Sequence, residues 1–249
     1  MSEVRFSVPG RVALVTGGGS GIGRAIALGL AGIGIRVGVG DKDPARIASA
    51  VVAIESCGSR AHGVVADVGQ IEDVRRLVAE VSERLGPIDI LVNCAGIFPR
   101  SSVVEMAEDE WDLTAATNVK SIFLVSQAVL PAMIAHKWGR IISITSGLGT
   151  TGAPRGAHYA ASKGAINALT RSLAREVADH GINVNAIAPG LTDTPMMRGA
   201  NTPEYIAAVT NTMPGRRLGQ PEDVVGLALF LVSEGARHIT GQVIGLRGG

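Results

Sequence analysis

"RVALVTGGGSGIGRAIALGLAGIG", residues 11–34, decides the fold. It opens with a short apolar, β-branched run, "RVALVTG" (11–17), and continues from Gly21 with small and apolar residues at helical spacing. Between them, "TGGGSGIG" (16–23) sets Gly17, Gly21 and Gly23 as G-x-x-x-G-x-G. Glycine permits the tight turn and lets the backbone come close to a pyrophosphate. The helix start then offers unpaired N–H groups to that anion. A lone glycine pattern is weak; a strand before it and a helix after it make it a phosphate-binding loop. Gly19, Ser20 and Ile22 fall in the same loop and join the candidate cofactor contacts.

The same unit repeats outward. Strand-like runs at 35–41, 60–68, 88–96, 139–146, 182–190 and 242–246 alternate with helical stretches at 44–57, 70–85, 108–136, 159–180 and 221–233. Apolar strands alternating with helices require right-handed crossovers. The expected fold is a Rossmann-type, doubly wound parallel α/β sheet with helices on both faces. No linker, repeat or low-complexity stretch divides the chain, so residues 1–249 read as one domain. Residues 191–215 read as a polar, Met- and Pro-bearing insertion, the expected substrate lid.

Composition narrows the classes. The net charge is +1 and no like-charge run exceeds about a pair, so no nucleic-acid footprint is present. Two cysteines, Cys57 and Cys94, make neither a disulfide framework nor a metal cluster. "MSEVRFSVPG" (1–10) lacks the apolar core of a secretory signal. "SIFLVSQAVLPAMIA" (121–135) reads as too short and too interrupted for a membrane span. A soluble, cytoplasmic protein without membrane or nucleic-acid partners is expected.

In such a sheet, ligands bind beyond the C-terminal ends of the strands. Asp41 ends the second strand, a little over twenty residues past the loop. Its carboxylate suits the adenosine ribose hydroxyls and favours NAD. A 2′-phosphate there meets like charge, about 4 kcal/mol per unit pair at ~4 Å and an effective dielectric of ~20, before screening. Ser20 agrees, because a basic loop residue would favour NADP. Lys42 could swing to a phosphate and leaves NADP open. Asp67, with Val68 beside it, fits an adenine edge or, alternatively, a helix cap.

"GAHYAASKGA" (156–165) sets Tyr159 and Lys163 four residues apart, on one helix face. A free tyrosine, with a pKa near 10, is a poor base at neutrality. A neighbouring ammonium is expected to lower that value and make an acid/base. Ser146, at a strand end, is placed to hold a carbonyl oxygen beside it.

With these residues the sequence resembles the short-chain dehydrogenase/reductase family from about Arg11 to Gly249. The resemblance rests on "TGGGSGIG", "ADV" (66–68), "NCAG" (93–96), "NVKSIF" (118–123), "SITS" (143–146), "YAASK" (159–163) and "NAIAPGLTDTPM" (185–196) in order. It implies that Tyr159 is the catalytic acid/base and that Lys163 lowers its pKa and binds the nicotinamide ribose. It implies that Ser146 polarises the substrate oxygen and that Asn118 holds a relay water; Asn118 could equally stabilise a helix kink. Asn93, Ala95 and Gly96 would line the cofactor cleft. Pro189, Gly190, Thr192 and Thr194 would border the nicotinamide. A homotetramer is implied, with helices 108–136 and 157–180 at one interface. Two departures stand out: Cys94 where the family usually has Asn, and Arg247 in "GLRGG" where "DGG" is common, which puts assembly in question.

The implied activity is hydride transfer between NAD(H) and a secondary alcohol or ketone. The alternatives are an NADPH-dependent 3-oxoacyl-(acyl-carrier-protein) reductase, a lyase or epimerase retaining its nucleotide, and a non-catalytic nucleotide sensor. Phe98, Leu148, Met196, Met197 and Met213 would form an apolar pocket wall or pack as core. Arg155, His158 and Arg198 are the cations expected to meet any anionic group.

Overall fold

A computed structural model describes Val8 and residues 10–247. The remainder of "MSEVRFSVPG" and the closing Gly248–Gly249 pair of "GLRGG" lie outside the described residues.

The chain forms one seven-stranded, all-parallel sheet. The strands are β1 (Val12–Thr16), β2 (Arg36–Asp41), β3 (Ala61–Val65), β4 (Ile90–Asn93), β5 (Gly139–Ile144), β6 (Ile182–Pro189) and β7 (Val243–Leu246). Their spatial order is β3-β2-β1-β4-β5-β6-β7. The order reverses between β1 and β4, and that switch point opens a crevice at the strand ends.

Successive side chains of β1 point to opposite faces. Ala13 and Val15 enter one core, with Ile26 and Leu30 of α1 (Gly21–Gly32) and Ile47 and Ile54 of α2 (Pro44–Ser56). Leu231 of α10 (Pro221–Val232) closes this layer. Val12 and Leu14 enter the second core, with Leu77 and Val81 of α3 (Ile71–Leu85) and Val125 and Val129 of α5 (Ser121–His136). Two covered faces explain why the strands read as nearly continuous apolar runs.

The expected helix 108–136 is present with a defect. It comprises α4 (Glu108–Ala115), a π-helical turn (Ala116–Lys120) and α5. One expectation is corrected here. Pro131, Ser126 and Gln127 do not interrupt it, and the Glu108–His136 helix is 29 residues long and holds an 18-residue window with a mean hydropathy of 1.4. By length and composition alone it could cross a membrane. In the fold, Leu124, Val125, Val129 and Met133 are buried against the sheet, so its apolarity is partly that of a core helix.

Two further details depart from the sequence reading. A short helix, α6 (Leu148–Thr151), follows β5 before α7 (Ala157–Val177). The 191–215 insertion contains α8 (Pro195–Ala200) and α9 (Pro203–Thr212), each entered through proline behind a Thr cap, Thr194 and Thr202. Thr192 pairs with Gly219, and Asp193 N–H donates to Gly219 O at 2.8 Å. The insertion therefore leaves and rejoins the body at one point.

Candidate active site

A cleft of about 990 Å³ opens over the β1/β4 switch point and runs beneath α8 and α9. Gly17, Ser20, Gly21 and Ile22 line one end. Gly17 and Gly21 adopt φ of +64° and +51°, a region costly for any residue with a Cβ. A Cβ on Gly17 would sit 2.8 Å from the Ala95 Cα, and one on Gly23 would overlap the Gly17 carbonyl oxygen. Ser20 begins α1 without a side-chain cap, so the first N–H groups of that helix have no partner within it. A backbone cradle, a bare helix start and flanking glycines fit the pyrophosphate of a dinucleotide. Gly23→Ala is expected to displace the loop and lower nucleotide affinity by an order of magnitude or more, read by NADH fluorescence titration.

At the adenosine end, Asp41 Oδ2 accepts from Gly19 N–H at 3.1 Å and Oδ1 accepts from Asp43 N–H at 3.2 Å. The carboxylate is thus held by backbone donors and lines the cleft. Lys42 Nζ lies 3.0 Å from Asp67 Oδ2. Asp67 Oδ1 accepts from Gly69 N–H at 2.9 Å and so closes a turn, while the helix cap that the sequence left open falls on Gln70. Ala66 and Val68 line the cleft on either side of it.

The β4 end is tied to β1. Thr16 Oγ1 accepts from Cys94 N–H at 3.2 Å and from Ala95 N–H at 3.3 Å. Ala95 and Gly96 line the cleft, whereas Asn93 is buried at the strand end behind them. Burial pushes the thiol of Cys94, where the family pattern has Asn, up to about 12 and disfavours its thiolate. On the far side, Pro189, Gly190, Thr192 and Thr194 line the cleft as expected.

Ser146, Tyr159 and Lys163 meet at the centre of the cleft. The Ser146 hydroxyl faces the Tyr159 phenol and favours its ionised form. Lys163 Nζ donates to Ile144 O at 2.8 Å and lies 5.4 Å from the Tyr159 ring centroid. Thr145 Oγ1 donates to Lys163 O at 3.0 Å, locking α7 to the end of β5. The Phe98 ring stacks on Tyr159 at 4.0 Å and 23°.

The electrostatics correct one expectation. Burial pushes the Tyr159 phenol up to about 12, and the nearby Ser146 hydroxyl offsets only part of this. Burial also pushes Lys163 down to about 8. The lysine therefore does not hold the phenol below its ordinary value in the protein alone. Two polar groups placed in a dry site both favour their neutral forms.

Asn118, in the π turn, is fully buried and does not line the cleft. Its Oδ1 accepts from Ile97 N–H at 2.8 Å, and its Nδ2 donates to Ile97 O at 3.0 Å and Ser162 Oγ at 3.1 Å. The amide therefore clamps the Gly96–Ile97 wall to the irregular turn.

The three expected anion contacts are engaged elsewhere. Arg155 faces Glu105 at 3.5 Å, Arg198 makes two 2.6 Å bonds to Asp193, and buried His158 lies 3.3 Å from Glu110. The sequence reading missed Arg100. Its guanidinium donates to Pro154 O, Ala200 O and Asn201 Oδ1 and lies 4.8 Å from the Phe98 ring centroid, tying α8 to the cleft wall. No local pattern marks it, since its partners are 54 to 101 residues away.

The comparisons with known proteins agree with this geometry. A family model described as short chain dehydrogenase matches residues 11–204. A 3-oxoacyl-(acyl-carrier-protein) reductase of Pseudomonas aeruginosa is 40% identical over 246 residues, covering 98% of both chains. One from Thermotoga maritima is 38% identical over 240 residues, covering 96% of this chain and 97% of its own. Among solved structures, a provisionally assigned short-chain alcohol dehydrogenase of Sinorhizobium meliloti 1021 matches with a TM-score of 0.94 at 38% identity, covering 98% and 97%. A provisionally assigned NAD(P)-dependent gluconate 5-dehydrogenase from Beutenbergia cavernae, with NADP bound at low occupancy, matches at 0.93 and 38%, covering 98% of each chain. The likeness to these relatives runs along almost the whole length of the chain. The chain belongs to the short-chain dehydrogenase family and is an NAD(P)-dependent oxidoreductase acting on alcohol and keto groups.

Proposed function

We propose that the protein transfers hydride between NAD(H) and a secondary alcohol or its ketone. The observation that carries the reading is the meeting of Ser146, Tyr159 and Lys163 at the cleft centre, with buried Lys163 Nζ 5.4 Å from the Tyr159 ring centroid. When bound, the nicotinamide gives or takes the hydride. Ser146 and Tyr159 hold the substrate oxygen between two hydroxyls. A phenol raised to about 12 is protonated at neutral pH, so it starts as the donor to a ketone oxygen. Lys163 keeps its ammonium near that oxygen and holds the nicotinamide ribose, and Asn118 keeps the adjoining wall in place. Met196, Met197, Met213 and Leu148 line the substrate end and enclose the reaction under the 191–215 lid.

Selection of NAD rests on Asp41, fixed at the rim by two backbone donors. A second reading, an NADPH-dependent 3-oxoacyl reductase, is favoured by the curated relatives and by an NADP-bound structural neighbour. Lys42 is its structural basis: the ion pair with Asp67 is half-exposed, and such pairs are worth only about 0–1 kcal/mol. The discriminating experiment follows NADH and NADPH oxidation with a panel of ketones and a 3-oxoacyl thioester. NADH-linked reduction of simple ketones supports the first reading; turnover confined to NADPH and the thioester replaces it.

The 249 residues are proposed to act as one cytoplasmic domain assembling as a homotetramer. Trp111, Leu113, Phe123 and Ile134 expose apolar surface along the 108–136 helix, which a partner copy would cover. Light scattering reads the assembly directly.

A further inference from the structure

Within the cleft, one cation has no partner among the described residues. The basic side chains lining it are Lys42, Arg46, Arg100, Lys163 and Arg247. Lys42 pairs with Asp67, and Arg46 pairs with Asp43. Arg100 is consumed by lid and loop oxygens, and Lys163 by the Ile144 carbonyl. Among the described residues, Arg247 is the one of these five whose side chain makes no hydrogen bond or ion pair.

Its position is set by two glycines. Arg247 follows β7, and Gly190 N–H donates to Leu246 O at 2.9 Å, pinning the strand end to the Pro189–Gly190 turn. A Cβ on Gly190 would sit 3.3 Å from the Arg247 Cα. A Cβ on Gly147 would sit 3.2 Å from the Arg247 Cζ and Nη2. Gly147 directly follows Ser146. The guanidinium thus lies on the segment that carries the proposed oxygen-holding serine.

No carboxylate among the described residues pairs with the charge there. The cleft-lining carboxylates, Asp41 and Asp43, belong to the adenosine end, while Leu148, Met196, Met197 and Met213 form an apolar substrate wall. The dinucleotide phosphates do not answer the charge either. Their loop follows β1, and β7 is four strands away in the sheet, about 19 Å at ~4.8 Å per strand. Arg247 is exposed, and its guanidinium presents a planar fork matched to a carboxylate.

We propose that Arg247 determines substrate specificity by binding a substrate carboxylate, so that the preferred substrates are hydroxy acids and the corresponding keto acids. The inference rests on the reading of Ser146 and Tyr159 as the reacting centre. It replaces Arg155, His158 and Arg198 as the expected anion contacts.

The test uses the NADH-loaded protein and a series of methyl keto acids from 3-oxobutanoate to 6-oxoheptanoate, each matched with the methyl ketone of the same carbon skeleton. Binding is read by calorimetry, and hydride transfer separately by NADH absorbance. At least one acid is expected to bind about tenfold or more tighter than its neutral match. Arg247→Met is expected to bring that ratio close to one, and Arg247→Lys to keep part of it. NADH affinity of each variant reports whether the cleft is intact. The proposal is overturned if no acid is preferred, or if R247M keeps the preference. A change of oligomeric mass in R247M with the preference kept also overturns it and makes Arg247 an assembly residue. Acid binding that depends on Arg247 without hydride transfer in any member would leave Arg247 standing and sink the assignment of Ser146 and Tyr159.

Discussion

Replacing Tyr159 by phenylalanine is expected to reduce hydride transfer by about 10³-fold or more while NADH binds nearly as before. The ring, not the hydroxyl, makes the stack on Phe98 at 4.0 Å, so the variant keeps the cleft wall. What it loses is the one phenol that meets Ser146. The prediction carries a spectroscopic companion. The chain has two tyrosines, and the burial of Tyr159 raises its ionisation to about 12. A phenolate absorbance step near that pH is expected in the wild type and absent in Tyr159→Phe. Turnover retained in Tyr159→Phe would remove Tyr159 from the reaction, whatever the spectra show.

The second large effect concerns nucleotide choice. The wild type is expected to bind NADH about 10- to 100-fold tighter than NADPH, or ~1.4–2.8 kcal/mol. This is less than the unscreened repulsion between Asp41 and a 2′-phosphate, because the rim of the cleft is open to water and salt. Asp41→Asn is the informative substitution. Its amide oxygen can still accept from Gly19 N–H, so the loop keeps its support while the charge is removed. The ratio is expected to narrow mainly through a gain for NADPH. Tight NADPH binding by the wild type would instead show that Lys42 leaves Asp67 for the phosphate, and the substrate search would then begin with 3-oxoacyl thioesters.

What could be read from the sequence and what could not divides by the range of the interactions. The strand–loop–helix of residues 11–34 fixed the doubly wound sheet without help. Strand period, glycine conformation and helix spacing are local properties, written in consecutive residues. The grouping of Tyr159 with Lys163 is local too, since one helix turn places both. Ser146 joined them through its place at a strand end, because ends of parallel strands gather at one edge.

Other features depended on residues far apart in the chain. The phenol's raised pKa follows from burial, with Phe98 stacked on the ring, and a nearby lysine in sequence says nothing of that desolvation. Asn118 was legible as a residue but not as a clamp on Ile97, 21 positions earlier. Arg155, His158 and Arg198 looked available until folding supplied each with a carboxylate. Arg247 looked like a departure in a terminal motif until β7 joined β6 and brought it against Gly147. The sequence by itself determined the sheet, the glycine loop and the pairing of Tyr159 with Lys163, because each is a short-range pattern. Only the tertiary structure decided which charges remain unpaired in the cleft, because pairing joins residues that the chain keeps far apart.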